Sequence, residues 1–322
     1  MKIALLGDFA LFGRFSTLSD NINYQTYFKE IAEHLKSYDY VIANLETPFI
    51  KEHKPYKYKS AYISADEKNI DILKYLNISV VNLANNHMFD FGPDGYLYTK
   101  RLLEEERIMY FGVEDKTILL KHEENKVMCL GYCCYSTNPL GLHEKGVNPL
   151  NFPKLQKKMQ ENTQCGYNNI LSIHAGQEHI NYPNYDHILF ARKLAEEVPY
   201  VYYGHHPHVL QGIEEYNKSL IAYSLGNFCF DDIFKHKTDK EPLVKQSNNN
   251  KSSIILGLEY RENGLIDYSV IPIFLGDEKM SFECPEIIEN IKEYSTALSL
   301  PKEEYLEKRN RLFSDSLNVQ GA

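Results

Sequence analysis

The feature that most constrains this chain is a repeated junction: an apolar run of strand length that ends in a residue able to bind a metal. Lys2 to Leu6 leads into Gly7-Asp8, Tyr40 to Ala43 into Asn44-Leu45-Glu46, and Ile78 to Leu83 into Asn85-Asn86-His87. Asn169 to Ile173 leads into His174, and Val198 to Tyr203 into Gly204-His205-His206-Pro207-His208. Segments with helical spacing separate the first of these runs. Tyr24 to Leu35 sets Tyr27, Phe28, Ile31 and Leu35 on one face, and Ala65 to Leu76 does the same with Ile70, Leu73 and Leu76. Pro93 marks a helix start before Gly95 to Glu106, and Ile108 to Phe111 returns to strand. Such alternation predicts mostly parallel pairing with crossover helices, and in sheets of that kind ligands bind beyond the C-terminal ends of the strands.

The second half has a different grammar. Thr117 to Lys121 and Lys126 to Tyr132 read as a hairpin about Glu123-Glu124-Asn125, after which Leu150 to Gln160 and Tyr185 to Glu197 are helical. Ser219 to Tyr223, Ser252 to Tyr260 and Leu265 to Ile273 read as antiparallel strands, the last two joined at Asn263-Gly264. Two sheets packed face to face with helices outside account for this order. Phe234 to Lys251 is polar and aperiodic, which suits either a solvated insertion or a lid over an anionic substrate. Residues 1–277 form the expected domain, and 278–322 a C-terminal helical extension that includes Lys302 to Arg311.

Composition removes several classes of function. A formal net charge of -9 with no basic stripe argues against nucleic acid as a partner, because binding phosphate chains needs concentrated Lys and Arg. No apolar run approaches the roughly 18 residues of a membrane span. Only Ile3 to Leu6 lie between Lys2 and the break at Gly7-Asp8, too few for the apolar region of a signal peptide, so a cytoplasmic protein is expected. The six cysteines form neither a disulfide ladder nor a paired C-x-x-C pattern, and Cys129, Cys133 and Cys134 read as buried reduced thiols. Tyr182, Tyr185, Tyr202 and Tyr203, around the histidine-bearing strands, read as core or rim packing.

In a mostly parallel sheet the five strand ends meet along one edge. Asp8, Glu46, an amide oxygen from Asn85 or Asn86, His174 and the imidazoles of the triple-histidine turn would then converge on a small volume. This is a nitrogen and oxygen donor set without thiolates, suited to Mn, Fe, Zn or Co and not to an iron-sulfur cluster. Each residue also has a plain structural use. Asp8 could cap the next segment, Glu46 could serve the turn before Thr47-Pro48, either asparagine could be a turn residue, His174 could be a satisfied core histidine, and the histidine block could be a surface turn. Five such coincidences are harder to dismiss than one.

The ordered motifs Gly7-Asp8, Asn44-Leu45-Glu46, Asn85-Asn86-His87, His174, Gly204-His205-His206-Pro207-His208 and Ser224-Leu225-Gly226-Asn227-Phe228 resemble the CapA family of capsule and poly-gamma-glutamate biosynthesis proteins. The resemblance covers about residues 1 to 275. CapA domains are similar in turn to the calcineurin-like metallophosphatases, which implies a four-layer α/β/β/α sandwich holding two divalent metal ions (Mn, Fe or Zn) at strand ends. It implies Asp8 as a ligand of the first ion, Glu46 in the bridging place, and Asn86 and His174 on the second. The Gly-His-x-His motif of the phosphatases fits His206-Pro207-His208, which gives His206 to the second ion and His208 to the first. His205 is left outside the pair, or replaces His206 if the turn is read differently. The phosphatases usually begin Asp-x-His, whereas this chain has Asp8-Phe9-Ala10, and the run after His174 lacks the Trp common in CapA proteins.

Three functions follow from this reading. The first is a metal-dependent hydrolase acting on a phosphoester, either a small molecule or a polymer precursor, in capsule or other cell-surface polysaccharide or polymer biosynthesis. In it His87 protonates the leaving oxygen and Asp90 orients His87, although a helix N-cap is an equal reading of Asp90. The second is a CapA-type protein that binds or processes polymer without phosphatase activity, with other capsule-biosynthesis proteins as possible partners. The third is a non-catalytic partner with a vestigial metal site.

Overall fold

In the computed structural model, the described residues are 1–17, 23–51, 56, 59, 61–234, 240–261, 264–282 and 284–320. Two sheets carry the architecture. In the first the strand order is Met280–Ser281, Gly264–Leu275, Ser252–Arg261, Lys2–Phe9, Tyr40–Leu45, Val80–Asn82 and Met109–Phe111, with Asn227–Cys229 pairing parallel to the end of Lys2–Phe9. In the second the order is Ile213–Tyr216, Ser219–Ala222, Tyr200–His205, Asn168–His174, Asn125–Cys133 and Ile118–His122. Each sheet is parallel at its centre and antiparallel at an edge: Lys2–Phe9, Tyr40–Leu45 and Val80–Asn82 run together, as do Asn125–Cys133, Asn168–His174 and Tyr200–His205.

Alternation along each strand builds the four layers, because successive side chains leave a strand on opposite faces. Ile3 and Leu5 point between the sheets and pack with Ile42, Val80 and Phe111, meeting Cys129, Ile170, Val201 and Tyr203 of the second sheet. Ala4 and Leu6 point the other way, onto Phe28, Ile31, Leu73 and Leu103 of the helices covering the first sheet. On the far side Leu171, Ile173, Tyr200 and Tyr202 meet Leu155, Met159, Ile188 and Leu194, together with Ala297, Leu298 and Tyr305 from the C-terminal helices. Burying each of these large side chains contributes about 1.5–3 kcal/mol. The expected sandwich is therefore present. Helices Pro285–Ala297 and Lys302–Gln320 form part of its outer layer.

Local departures have local causes. The expected helix from Ala65 to Leu76 begins late: Ala65–Asp66 pairs with Phe49–Ile50, the Asp66 carboxylate accepts from Lys68 N at 3.1 Å, and the α-helix is Ile70–Tyr75. The strand expected from Ile78 starts at Val80, after Asn77 turns the chain with φ 56°. Ser219–Ala222 is antiparallel to Ile213–Tyr216, which has no apolar alternation to announce it, but parallel to Tyr200–His205. Asn263 of the expected 263–264 turn lies outside the described residues, as do 235–239 of the polar loop. The rest of that loop is not simply solvated: Val244 pairs with Ile233, and Gln246 and Asn250 are buried. Tyr182, Tyr202 and Tyr203 are core residues, and the cysteines are free, with Cys129 and Cys133 buried and Cys134, expected to be buried with them, only partly so. Among the described residues no helix is long and apolar enough to cross a membrane.

Candidate metal centre

The parallel strands end together, as the alternation requires. His174 and His205 are paired residues at the ends of adjacent strands, Asp8 is in register with Asn44 on one side and Asn227 on the other, and Glu46 follows one strand later. Two glycines make the junctions possible. A Cβ on Gly7 would lie 2.0 Å from the Gly226 carbonyl oxygen, and one on Gly204 would lie 1.9 Å from that of Tyr223. Only glycine allows so close an approach. The loop through Gly226 thus seats against Asp8, whose N–H donates to Gly226 O at 2.9 Å, and brings Asn227 beside the histidines.

Asp8 is fully buried and both of its oxygens are engaged. Its Oδ1 accepts from Asn44 Nδ2 and from His205 Nδ1, both at 2.9 Å, and its Oδ2 accepts from His206 N at 3.2 Å and faces His208 Nδ1 at 3.2 Å. Burial works to raise this carboxyl, but the hydrogen bonds and charges of His205 and His208 overcome it and hold Asp8 well below the usual carboxylate range. Glu46 is the opposite case. It is also fully buried, neither oxygen has a hydrogen-bond partner among the described residues, and its Oε1 lies 3.7 Å from both His174 Nε2 and His208 Nε2. Burial and then the Asp8 charge push its carboxyl well above the normal range, against the pull of His208.

Around these acids the imidazoles divide by role. His208 binds Asn227 Oδ1 through Nδ1 at 2.9 Å and turns Nε2 toward Glu46. Burial alone would lower it, yet Glu46 and Asp8 push it up to about 10. His174 Nε2 lies 3.0 Å from Asn86 Oδ1, and burial with the neighbouring His206 charge keeps its ring well below the ordinary histidine range. His206 leaves Nδ1 buried without a partner among the described residues, points Nε2 at Glu178 Oε1 3.9 Å away, and is pushed down to about 3 by burial. His205 is tied to Asp8 through Nδ1 and keeps a buried Nε2 that is likewise unpartnered among the described residues. His206 and His208 have left-handed backbones, with φ 93° and 56°, a conformation that costs about 1–3 kcal/mol for a non-glycine residue and collects at functional sites.

These donors fit a divalent cation. Bonds of roughly 2.0–2.2 Å place neighbouring ligand atoms about 3–3.6 Å apart, and the Asn86–His174, Glu46–His174 and Glu46–His208 separations are 3.0, 3.7 and 3.7 Å. By distance the donors form two groups, Asp8 with Glu46 and His174, and Glu178 with His206 and His208. The family resemblance pairs His208 with Asp8 and His206 with His174; His208 Nδ1 lies 3.2 Å from Asp8 Oδ2, the His206 and His174 rings are 4.9 Å apart, and both turn imidazoles also lie beside Glu178. Glu178 carried no assigned role in the sequence, where it follows Gly176 in an irregular run. Asn44, Asn82 and Asn85 form an amide network behind Asp8, ending on Ser172 Oγ at 3.0 Å. At Ala10, where an Asp-x-His motif would supply another imidazole, the side chain is buried in an apolar cluster with Phe12, Ile63 and Phe230.

One wall of the centre carries a second constellation. His87 donates from Nδ1 to Asp90 Oδ2 at 2.7 Å, Lys59 Nζ holds Asp90 Oδ1 at 2.7 Å and the Asn86 carbonyl at 2.8 Å, and Ile63 N completes Asp90 at 3.2 Å. Burial, then the Lys59 charge, lowers the His87 pKa against the pull of Asp90. Asp90 is thus the hydrogen-bond partner of His87 Nδ1, and no sequence signal pointed to Lys59.

The profile of the Bacterial capsule synthesis protein PGA_cap family matches residues 2–232. The Capsule biosynthesis protein CapA of Bacillus anthracis is 26% identical over 289 residues, covering 85% of this chain and 67% of that protein. The PGA biosynthesis protein CapA of Bacillus subtilis strain 168 is 25% identical over 284 residues, covering 85% and 71%. Among solved structures, a hypothetical protein from Thermus thermophilus superposes with TM-score 0.51 at 13% identity, covering 84% of this chain and 98% of that one. A Staphylococcus aureus protein provisionally described as a 5'-nucleotidase gives TM-score 0.51 at 13% identity, covering 91% of this chain and 58% of that one, a likeness of fold in the metallophosphatase class. With a profile match spanning most of its length and a fold of this class beneath it, the chain belongs to the bacterial capsule synthesis protein family PGA_cap.

Proposed function

We propose that this protein is a metal-dependent hydrolase of a phosphoester precursor in the biosynthesis of capsule, poly-gamma-glutamate or another cell-surface polymer. The observation that carries the reading is Glu46, a fully buried carboxyl group neither of whose oxygens has a hydrogen-bond partner among the described residues and whose Oε1 lies 3.7 Å from two imidazoles. A buried carboxyl group without hydrogen bonds costs several kcal/mol to ionise, and a cation bound beside it would offset that cost. Asp8, Glu46, Asn86, His174, His206 and His208 would hold two divalent ions, Mn, Fe or Zn. Bound there, such ions would supply Lewis-acid stabilisation of phosphate oxygens and a nucleophilic water of lowered pKa.

The rest is done by the chain. Asn227 and Asp8 take the Nδ1 side of His208, which leaves Nε2 as its ligand atom. Asp90 holds the Nδ1 proton of His87, so Nε2 is the atom that faces the reaction: protonated in the imidazolium form, it would pass its proton to the leaving oxygen and be left as the neutral Nδ1–H imidazole. Lys59 keeps Asp90 in place. Net charge and the absence of a basic stripe favour a small or polymer-precursor substrate over nucleic acid. Polymer handling without hydrolysis is the second reading, favoured by the likeness to CapA proteins named for capsule and PGA biosynthesis; Ala10, standing among apolar residues where the phosphatase pattern has an imidazole, favours a vestigial site.

Purification under low oxygen with elemental analysis, followed by aryl phosphate hydrolysis in Mn(II), tests the proposal. Near-stoichiometric metal and a turnover that falls about 10²–10⁴-fold in His87→Ala, with metal retained, is the expected result. Less than a tenth of an equivalent of metal with no activity after Mn(II) addition would favour a vestigial site. Metal without hydrolysis would favour polymer handling.

A further inference from the structure

We infer that Glu178 is a metal ligand at the rim of the centre and that Arg309 of the C-terminal helix is the residue that positions it. The inference rests on the proposed metal site and goes beyond it, naming a donor and a remote support.

The donor comes first. Glu178 offers a carboxylate oxygen to the same small volume as nitrogen atoms of His206 and His208, all within 4.8 Å of one another. Its Oε1 lies 3.9 Å from His206 Nε2, and its side chain is half exposed. The imidazoles it faces are buried, and His206 and His208 hold left-handed backbones to face it. One carboxylate and two imidazoles facing one another is a common nitrogen and oxygen set for Mn, Fe or Zn. With no imidazole at position 10, Glu178 is the donor that restores a third ligand beside His206 and His208.

The support comes second. Glu178 sits in the irregular stretch 175–184, and the residues around it are pinned. Before it, Gly176 turns the chain at φ 124° against Pro207, and Gln177 Oε1 accepts from Arg309 Nη2 at 2.8 Å. After it, His179 N donates to Pro207 O at 2.8 Å, and Asn250 Nδ2 meets His179 Nδ1 at 2.9 Å. Arg309 also donates from Nε to Tyr182 O at 3.2 Å and from Nη2 to Asn184 Oδ1, so one guanidinium ties both limbs of the stretch. Tyr305, one helical turn earlier, donates to Pro183 O at 2.6 Å. Helix Lys302–Gln320 lies outside the matched family profile, which ends at residue 232, so the support comes from a part of the chain that the profile does not describe.

Partners that orient ligands are worth 10–100-fold in metal affinity. The test uses the full chain, stripped with chelator and titrated with Mn(II) alone, with binding followed by the loss of free-ion EPR signal and folding followed by melting temperature. Glu178→Gln should weaken at least one class of Mn(II) site by well over ~10-fold, and Arg309→Ala by about 10-fold. Gln177→Ala, which removes only the loop side of the clamp, guards against a folding defect in the arginine variant. It should move Mn(II) affinity in the same direction by a smaller factor, with no change in melting temperature of the metal-free chain. Mn(II) titrations of Glu178→Gln that match the parent overturn the ligand assignment. Weakened binding in Glu178→Gln with parent-like binding in both Arg309→Ala and Gln177→Ala overturns the positioning role. A parent chain that binds no Mn(II) overturns the metal reading beneath both.

Discussion

Replacing Glu46 by Gln should make the metal-free protein more stable and the metal-loaded protein less so. Without a cation, His208 carries one positive charge facing two buried carboxylates. Asp8 already faces that imidazole at 3.2 Å and holds His205 and Asn44 besides, while Glu46 has only 3.7 Å contacts with its two imidazoles. Glu46 is the surplus charge. Leaving a buried charge uncompensated costs about 3–5 kcal/mol, and the raised pKa of Glu46 relieves part of that by protonation. Gln has the same shape and no charge, so the metal-free gain should be about 1–3 kcal/mol. At about 2 °C per kcal/mol, the low end of the range for larger domains, that is a rise of roughly 2–6 °C in melting temperature.

Mn(II) should reverse the order. At a concentration about 100 times its dissociation constant an ion adds about 2.7 kcal/mol to the parent, or roughly 5 °C on the same scale, and adds much less to a variant that lacks the shared carboxylate. The assay is a pair of thermal melts of parent and Glu46→Gln, one in chelator and one in Mn(II). A variant that melts below the parent in chelator, or that gains as much from Mn(II), refutes the account of Glu46 as a carboxylate kept for a cation.

Other consequences are local. Gly204→Ala places a Cβ 1.9 Å from the Tyr223 carbonyl oxygen and should cost more than about 3 kcal/mol or prevent folding, as read from urea melts; a parent-like midpoint would show that the two strand ends do not meet as described. His206 is pushed down to about 3 by burial, so between the unfolded value near 6.5 and about 3 the unfolded chain binds a proton that the folded chain refuses. Stability of the metal-free parent relative to His206→Gln should therefore fall as pH drops through that window, and parallel stability curves for the two proteins would contradict it. Asp90→Asn should leave metal content unchanged and lower aryl phosphate turnover by less than His87→Ala does, because the His87 ring remains and only its tautomer control is lost; a change in metal content would show that Asp90 serves the ions directly.

The four layers were legible because they rest on two short-range signals, period-two alternation in the strands and helical spacing between them. Asp8, Glu46, Asn86 and the histidines were legible for a related reason: each stands just after an apolar run, and parallel strands bring such residues to one edge. What escaped lies in segments without periodicity. Ile213–Tyr216 and Asn227–Cys229 become strands through pairing with neighbours already in place. Lys59 and Glu178 stand outside the helices and strands, so their positions depend on contacts far along the chain. For Glu178 these include the tie between Gln177 and Arg309 of the C-terminal helix.

The apolar surroundings of Ala10 join these observations. An imidazole at that position would stand near Phe230, whose ring lies 4.3 Å from the ring of His208, and would crowd the cluster of Phe12, Ile63 and Phe230. The centre has instead an apolar cluster at that position, while Glu178 faces His206. A site arranged so should hold its inner ion through buried groups and its rim ion through a carboxylate open to solvent, so the two should differ in affinity. Stepwise Mn(II) titration should resolve two classes of site, with the weaker one lost first in Glu178→Gln. A single class that vanishes as a unit would mean that Glu46 couples the two positions so tightly that the distinction between inner and rim donors has no energetic content.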